Sequence, residues 1–584
     1  LMSGFGYNVL GFGGGGVAPL EVDEDFNRVS FLSHFDGANN GVNNAFDDGS
    51  TSNHTITAAG NVTQGSFGPF SRPDGDWSLS FDNSITAVPY FAMGANGSFD
   101  GDFTIEAFFN ANSFTATNSK SPTIIAIGDP RLQVYIDSSN KFIALSQSED
   151  QASQIIKSSN DSITLSTWHH VAFVRSGSGS NNVSLYLDGT RVAQATNTDT
   201  LGGSDNNSWV ANSTSDAGQF GGNISNLRVI KGTAQYSGSS ITVPTSGLTN
   251  VTNCKLLLAQ SNRLVDNGAN SLTIQMSGAF PKVSAFGPFL TDAVYDPEVN
   301  GASAYFDGGG ILRSASSNQM VFGTGDFTIE FWAYHNIAAH ANMLLPTSRD
   351  SINSVANGDF FIESNASQNK VRFVNSGGTA TTLTDSSGPF PVKQWFHTAC
   401  VKEGSALTYY RNGVRLVTAS VSGTFGRDNS RITIGKFPDS TTWYWNGYIA
   451  DFRILKGTAK YSGGTYTVPT VPLTAITNTS LLLNMADGQA IDSAAQNNLT
   501  LHGNAKLSTG QANFGDTSLY FNGSGDAAQI ASSNFKFGTG DFTVEFWYYG
   551  TTVIDAPLVD MRLSANNEAR VSIFFTNNSG NVGY

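Results

Sequence analysis

The chain has 584 residues, too many for a single domain and about the length of three or four. Only 13% of its residues are charged and its net charge is −15, which disfavours nucleic acid and anionic membranes as partners. The 41 Phe, 18 Tyr and 8 Trp supply enough large buried surface to exclude a disordered chain. The two cysteines, Cys254 and Cys400, exclude a disulfide framework and a Cys-based zinc site, and no run of 18 apolar residues suggests a membrane-spanning helix.

Residues 1–28 read as a glycine-rich arm. Tyr7 to Leu10 followed by Gly11 to Gly16 has the look of an attachment segment, and it lacks the basic start and long apolar core of a signal peptide. Release from a cell would then need lysis or a dedicated exporter. Gly11-x-Gly13-x-x-Gly16 matches a dinucleotide fingerprint in form only, because Pro19 and an acidic stretch follow where a helix is required. Glu21, Asp23 and Phe26 approach the three-carboxylate strand motif of glycoside hydrolases, with Phe26 at the last carboxylate position. Just beyond, Asp36, Asp47 and Asp48 lie among Asn39, Asn40, Asn43 and Asn44, a set of hard oxygen donors suited to calcium, and also to Asn-rich turns.

The rest of the chain repeats. Gly101-Asp102-Phe103-Thr104-Ile105-Glu106 recurs 224 residues later as Gly325 to Glu330, and 215 after that as Gly540 to Glu545. Trp168-His169-His170-Val171 recurs as Trp395-Phe396-His397-Thr398, and Tyr186 to Gly189 as Tyr410 to Gly413. Ile224 to Tyr236 recurs as Ile449 to Tyr461, and Cys254 to Leu258 as Ser480 to Asn484. A period of about 225 residues is the size of a domain. The expected units are 29–250, 251–477 and 478–584. The third lacks counterparts of Trp395, of Asn412-Gly413 and of Arg453 to Tyr461, so we expect the natural protein to continue past Tyr584. Half a sandwich would leave open strand edges and an uncovered core face.

Within each unit the pattern is all-β. Phe103, Ile105, Ala107 and Phe109 alternate with Thr104, Glu106, Phe108 and Asn110, the period of a strand. Asp188-Gly189 and Asn412-Gly413 between strand-like runs predict tight hairpin turns. The order Phe327 to Trp332, Trp168 to Ala172, Leu185 to Gly189 and Ile449 to Ile454 resembles the laminin G-like and pentraxin-like branch of the concanavalin A-like lectin/glucanase fold. That resemblance implies tandem antiparallel β-sandwich (jelly-roll) domains that often bind carbohydrate or protein ligands, sometimes with calcium. A glycine-rich arm before such an array also resembles structural proteins of marine tailed phages, cyanophages included.

Catalytic constellations are absent from the sequence. Each unit carries a single Glu on its motif strand, Glu106, Glu330 or Glu545, where hydrolysis needs two carboxylates. His170 and His397 recur after Trp168 and Trp395 and read as structural residues beside the core. Trp332 and Trp547 align with Phe108, so all three read as packing residues. Trp443 and Tyr444 align with Gly218 and Gln219, belong to the second unit alone, and are the expected ligand contacts. The expectation is a non-catalytic structural and adhesive protein on a virion or an extracellular surface. It would be homo-oligomeric, attached by its arm to other virion or surface proteins, and would bind glycans with no cofactor beyond calcium. A bacterial surface adhesin is the alternative, and a polysaccharide hydrolase fits less well.

Overall fold

Alternation along residues 103–111 sends Phe103, Ile105, Ala107, Phe109 and Ala111 to one side of a strand. There they meet Ile125, Ile127, Val134 and Leu145 from strands of a second sheet, and the two sets form one core. The same alternation builds a second core, in which Phe327, Ile329, Phe331 and Ala333 face Ile362, Val371, Phe373 and Leu383. A computed structural model describes parts of 56–65, most of 75–262, the strand 282–284, most of 300–485 and parts of 499–583. Among these residues the chain forms two antiparallel β-sandwiches and part of a third.

In the first sandwich, Phe103–Ala111 lies between Trp168–Arg175 and Gly222–Lys231, and the sheet continues to Val183–Leu187 and Thr190–Ala195 on one side and Ser78–Phe81 on the other. The facing sheet runs from Tyr90–Phe91 through Ser208–Val210 to Gln154–Lys157. The second sandwich repeats this order with Phe327–His335 between Trp395–Glu403 and Asn446–Lys456. Both hairpins expected from sequence form, with Asp188 and Gly189 at φ 48° and 84° and Asn412 and Gly413 at 48° and 78°. These paired positive φ values match the right-handed twist of the strands that they join.

Strand pairing corrects the expected unit boundaries. Cys254–Leu258 and Thr479–Leu483, assigned from sequence to the units that follow them, pair with Gly222–Lys231 and Asn446–Lys456 of the preceding sandwiches. Their apolar residues complete cores already built, since Leu256 and Leu258 join the first and Leu481 and Leu483 the second. Ile56–Ala59 and Val62–Gly65, assigned to the first unit, pair with Ile311–Ser314 and Ser303–Asp307 of the second. Lys282–Ser284 pairs in turn with Ser78–Phe81 of the first. The sandwiches also touch directly. Trp332, Tyr334, Trp395 and Ala450 join the first core cluster, and the Trp395 amide donates to the Asn262 carbonyl at 2.9 Å.

The third unit has Leu499–His502 against Ala527–Ile530, Lys506–Ser508 against Ser518–Tyr520, and a three-stranded sheet over 556–583. Its motif segment Phe542 to Tyr549 forms no strand, and Trp547 is 75% exposed. Phe108 and Trp332, by contrast, are buried on strands that lie between a histidine-bearing and an arginine-bearing strand.

A glycine at the same place in each sandwich is fixed by a close approach. Gly222 and Gly447 sit at φ 135° and 145° at the start of the arginine-bearing strands, where a Cβ would collide with the carbonyl oxygens of Asn110 and Tyr334. We predict that Gly447→Ala destabilises the second sandwich by about 2 kcal/mol or more in urea unfolding. Gly101→Ala, whose Cβ would meet nothing within 4 Å, should leave the transition in place.

Candidate functional site

The motif strand has two buried faces. Opposite the core, Thr104, Glu106 and Phe108 are covered by the segment that follows Lys231, in which Ala234, Tyr236 and Ile241 pack on Ala172, Val174 and Tyr186. The side of the sheet that would face solvent in a bare sandwich therefore carries a strap, and a carboxylate lies beneath it.

Antiparallel register places Arg228 directly across from Glu106, and Arg453 across from Glu330. Arg228 donates to Glu106 Oε1 from Nε at 2.9 Å and Nη2 at 2.7 Å, and Arg453 to Glu330 Oε1 at 2.9 and 2.6 Å. The other carboxylate oxygen accepts from a strap tyrosine, Tyr236 at 2.7 Å or Tyr461 at 2.6 Å. His170 Nε2 lies 3.3 Å from Glu106 Oε2, and His397 Nε2 3.4 Å from Glu330 Oε2. The remaining guanidinium nitrogen ties down the far end of the strap, through the Thr249 carbonyl at 2.8 Å or the Thr474 carbonyl at 2.7 Å. At the near end, Thr104 Oγ1 donates to the Thr233 carbonyl and accepts from the Gln235 amide, as Thr328 does with Thr458 and Lys460.

Both carboxylates are fully buried. Burial alone pushes their pKa up, but the adjacent histidine and the guanidinium, with the tyrosine hydroxyl, outweigh it and hold both below the ordinary carboxylate range. Burial and the neighbouring carboxylate push the Tyr236 and Tyr461 hydroxyls far up, so both remain protonated donors. A bulge sets the arginine's position. Asn226 and Asp451 sit at φ 49° and 48°, where the pairing with the motif strand shifts register. Asn226 accepts from the Leu248 amide and from Gln260 Nε2. Asp451 accepts from the Leu473 amide at 3.2 Å and from Asn484 Nδ2. Burial pushes the Asp451 carboxyl up to about 7.

The histidine rings are enclosed by aromatics. Phe108 lies 4.7 Å from the His170 ring, and Trp332 is edge-on to His397 at 5.2 Å. In the second sandwich the Tyr466 hydroxyl and His397 Nδ1 share a hydrogen bond at 2.6 Å, and Tyr466 stacks on Tyr461 at 3.7 Å. Trp168 is half-buried at the start of its strand, whereas Trp395 is fully buried and lies 5.6 Å from Tyr334.

The expected ligand contacts lie elsewhere. Trp443 and Tyr444 are half-buried on the rim of the second sandwich, immediately before the fully buried Trp445. Tyr444 bridges to Lys436, and its ring lies against Gly308. Asp36, Asp47 and Asp48, the expected calcium ligands, are outside the described residues. Among the described residues no three His, Cys, Asp or Glu side chains are grouped to hold a metal ion. Sequence reasoning treated the motif glutamates and histidines separately and did not join them to the arginines and tyrosines. The available signal was that Arg228 and Tyr236 recur as Arg453 and Tyr461 within one residue of the glutamate's step.

A family model described as "Concanavalin A-like lectin/glucanases superfamily" matches residues 87–235 and 307–460. No curated protein matches the chain. Among solved structures, domains LG4-5 of the mouse laminin alpha1 chain are 12% identical, with 71% of this chain and 95% of that one covered at a TM-score of 0.22. The SAP-like pentraxin of Limulus polyphemus is 14% identical, with 26% and 71% covered at 0.20. Domain 4 of the GH43 arabinanase AbnA of Geobacillus stearothermophilus, in complex with arabinotriose, is 16% identical, with 30% and 79% covered at 0.22.

Two predictions follow from the buried charges. Glu330→Gln leaves the Arg453 guanidinium buried beside a neutral amide and should destabilise the second sandwich by about 3–5 kcal/mol in urea unfolding. Asp451 has the opposite pH sense. Its raised folded pKa means that the native state holds a proton which the unfolded state releases, so its contribution falls as pH rises from about 4 to about 7 and is flat above. Asp451→Asn, which restores the residue type of Asn226, should remove that slope and raise stability at pH 8 by on the order of 2–4 kcal/mol.

Proposed function

This chain belongs to the concanavalin A-like lectin/glucanases superfamily, and from that premise we propose that it is a non-catalytic carbohydrate-binding protein of a virion appendage, its sandwiches presented outward and its glycine-rich arm serving for attachment. The observation that carries the non-catalytic reading is the state of the motif-strand carboxylates. Glu106 and Glu330 are sealed under a strap, each accepting from an arginine and a tyrosine. Glycoside hydrolysis needs two carboxyl groups about 5–10 Å apart that reach the sugar and exchange protons with it. A carboxylate held ionised by a guanidinium and shut off from solvent can serve as neither acid nor nucleophile.

Binding would fall to the rims and loops. Trp443 and Tyr444 offer aromatic surface there, and aromatic faces suit the apolar face of a sugar ring. Single sites of this kind bind weakly, and an array of sandwiches on a multi-copy particle gains through multivalency.

The test is to apply the full chain to a panel of neutral and sialylated oligosaccharides and to assay the same panel for release of reducing ends. We expect retention of at least one glycan class, weakened about tenfold or more in the Trp443→Ala, Tyr444→Ala double variant, with no release. Glycan cleavage, or binding to none of the panel, would contradict the reading. The virion assignment is checked by imaging particles from the native source, where density for the chain on a capsid or tail is expected.

A further inference from the structure

Among the described residues, two short strands precede the serine-led strand in the first and third units and one precedes it in the second, and in the third unit they pair within the unit. Leu499–His502 pairs with Ala527–Ile530, and Lys506–Ser508 with Ser518–Tyr520. In the first two units the corresponding strands cross over. Ile56–Ala59 and Val62–Gly65 pair with Ile311–Ser314 and Ser303–Asp307 of the second sandwich, and Lys282–Ser284 pairs with Ser78–Phe81 of the first.

The register is the same whether the strand is kept or exchanged. The serines that lead the acceptor strands, Ser78, Ser303 and Ser518, stand opposite Ser284, Gly65 and Ser508. Two residues on, Ser80, Tyr305 and Tyr520 stand opposite Lys282, Thr63 and Lys506. We propose that the sheet edge at Ser78–Phe81 and at Ser303–Asp307 is a docking site for the lead strand of a sister unit, and that reciprocal exchange across it interlocks the first two sandwiches.

Two physical points favour this occupant. Backbone ladders do not depend on the identity of the side chains, so a kept and an exchanged strand offer an acceptor edge the same hydrogen bonds. Exchange is then a matter of the connecting loop, as in other swaps of identical elements. The loops that follow the exchanged strands contain Pro69 and Pro73, or Pro288 and Pro297, whereas the loop 509–517 that lets the third unit close on itself contains no proline. A proline fixes its own φ and biases its predecessor toward extended backbone, so these loops are stiffer than the one in the third unit. The interlock means that each sandwich includes a strand reached through the other's connecting segment, so the pair separates only when a ladder in each is broken.

Cysteine pairs in the full chain distinguish the two pairings, because opposed residues of neighbouring strands lie within disulfide reach. Cys254 and Cys400 are buried and can stay. Ser80→Cys with Lys282→Cys, and Thr63→Cys with Tyr305→Cys, report exchange. Ser80→Cys with Thr63→Cys, and Lys282→Cys with Tyr305→Cys, report self-pairing. Lys506→Cys with Tyr520→Cys shows the yield of a kept strand. Ser78→Cys with Ser284→Cys repeats the exchange test if a first variant fails to fold. After mild oxidation and peptide mapping, we expect links within one chain in the exchange pairs, at a yield close to that of the third-unit pair, and none in the self-pairing set. Links in the self-pairing set, links only between chains, or no link in the exchange pairs while the third-unit pair oxidises would each overturn the proposal.

Discussion

A carboxylate buried in a sheet has to be matched in charge and hydrogen bonding, and this requirement organises each complete sandwich. Glu106 and Glu330 lie where an alternating strand must place a residue away from the core. Leaving either unmatched would carry a penalty of several kcal/mol. Matching takes an arginine from one neighbouring strand, a histidine from the other and a tyrosine from the strap. Those partners lie far apart in sequence, so satisfying one carboxylate fixes the order of three strands and holds the strap to the sheet. The pair does not account for the stability of the fold, which rests on the apolar cores. It selects one arrangement of strap and sheet among those that would bury similar area.

The two complete copies show which parts of this arrangement tolerate change. The glutamate, arginine, tyrosine and histidine are common to both. Around them the second sandwich is more aromatic. Trp332 replaces Phe108, Tyr466 takes the place of Ile241 beside the hairpin glycine, and Tyr334 and Trp395 pack toward the first sandwich. At the bulge, Asn226 gives way to Asp451, and a neutral side chain becomes one that titrates. In the third copy the motif segment forms no strand, and its Phe542, Phe546, Trp547, Tyr548 and Tyr549 are exposed.

Much of this was legible in the sequence. The period-2 pattern and the Asp-Gly and Asn-Gly turns specify strands and hairpins locally, and the repeated motifs identify the sandwich because they recur in fixed order. The matching family model agrees with that reading. The carboxylate cluster was not legible as a cluster, because Glu106 and Arg228 become neighbours only when strands more than 100 residues apart align. Unit boundaries were misplaced at Cys254 and Thr479 because periodicity gives the step between units but not the strand at which one ends. The crossing of Val62–Gly65 into the second sandwich was hidden for the same reason, since a ladder carries no sequence signature of which sheet it joins.

The central claim is that the buried carboxylate pins the strap to the sheet as a local structural device. Residue-resolved hydrogen–deuterium exchange on the full chain tests it most directly, by comparing the wild type with Glu330→Gln. The Lys460 amide donates to Thr328 Oγ1 and the Leu473 amide to Asp451, both within the strap of the second sandwich. The Gln235 and Leu248 amides occupy the same places in the first. The account predicts that Lys460 and Leu473 lose protection together while Gln235 and Leu248 keep theirs. Unchanged protection at Lys460 and Leu473 would contradict it and leave the strap held by apolar contact alone.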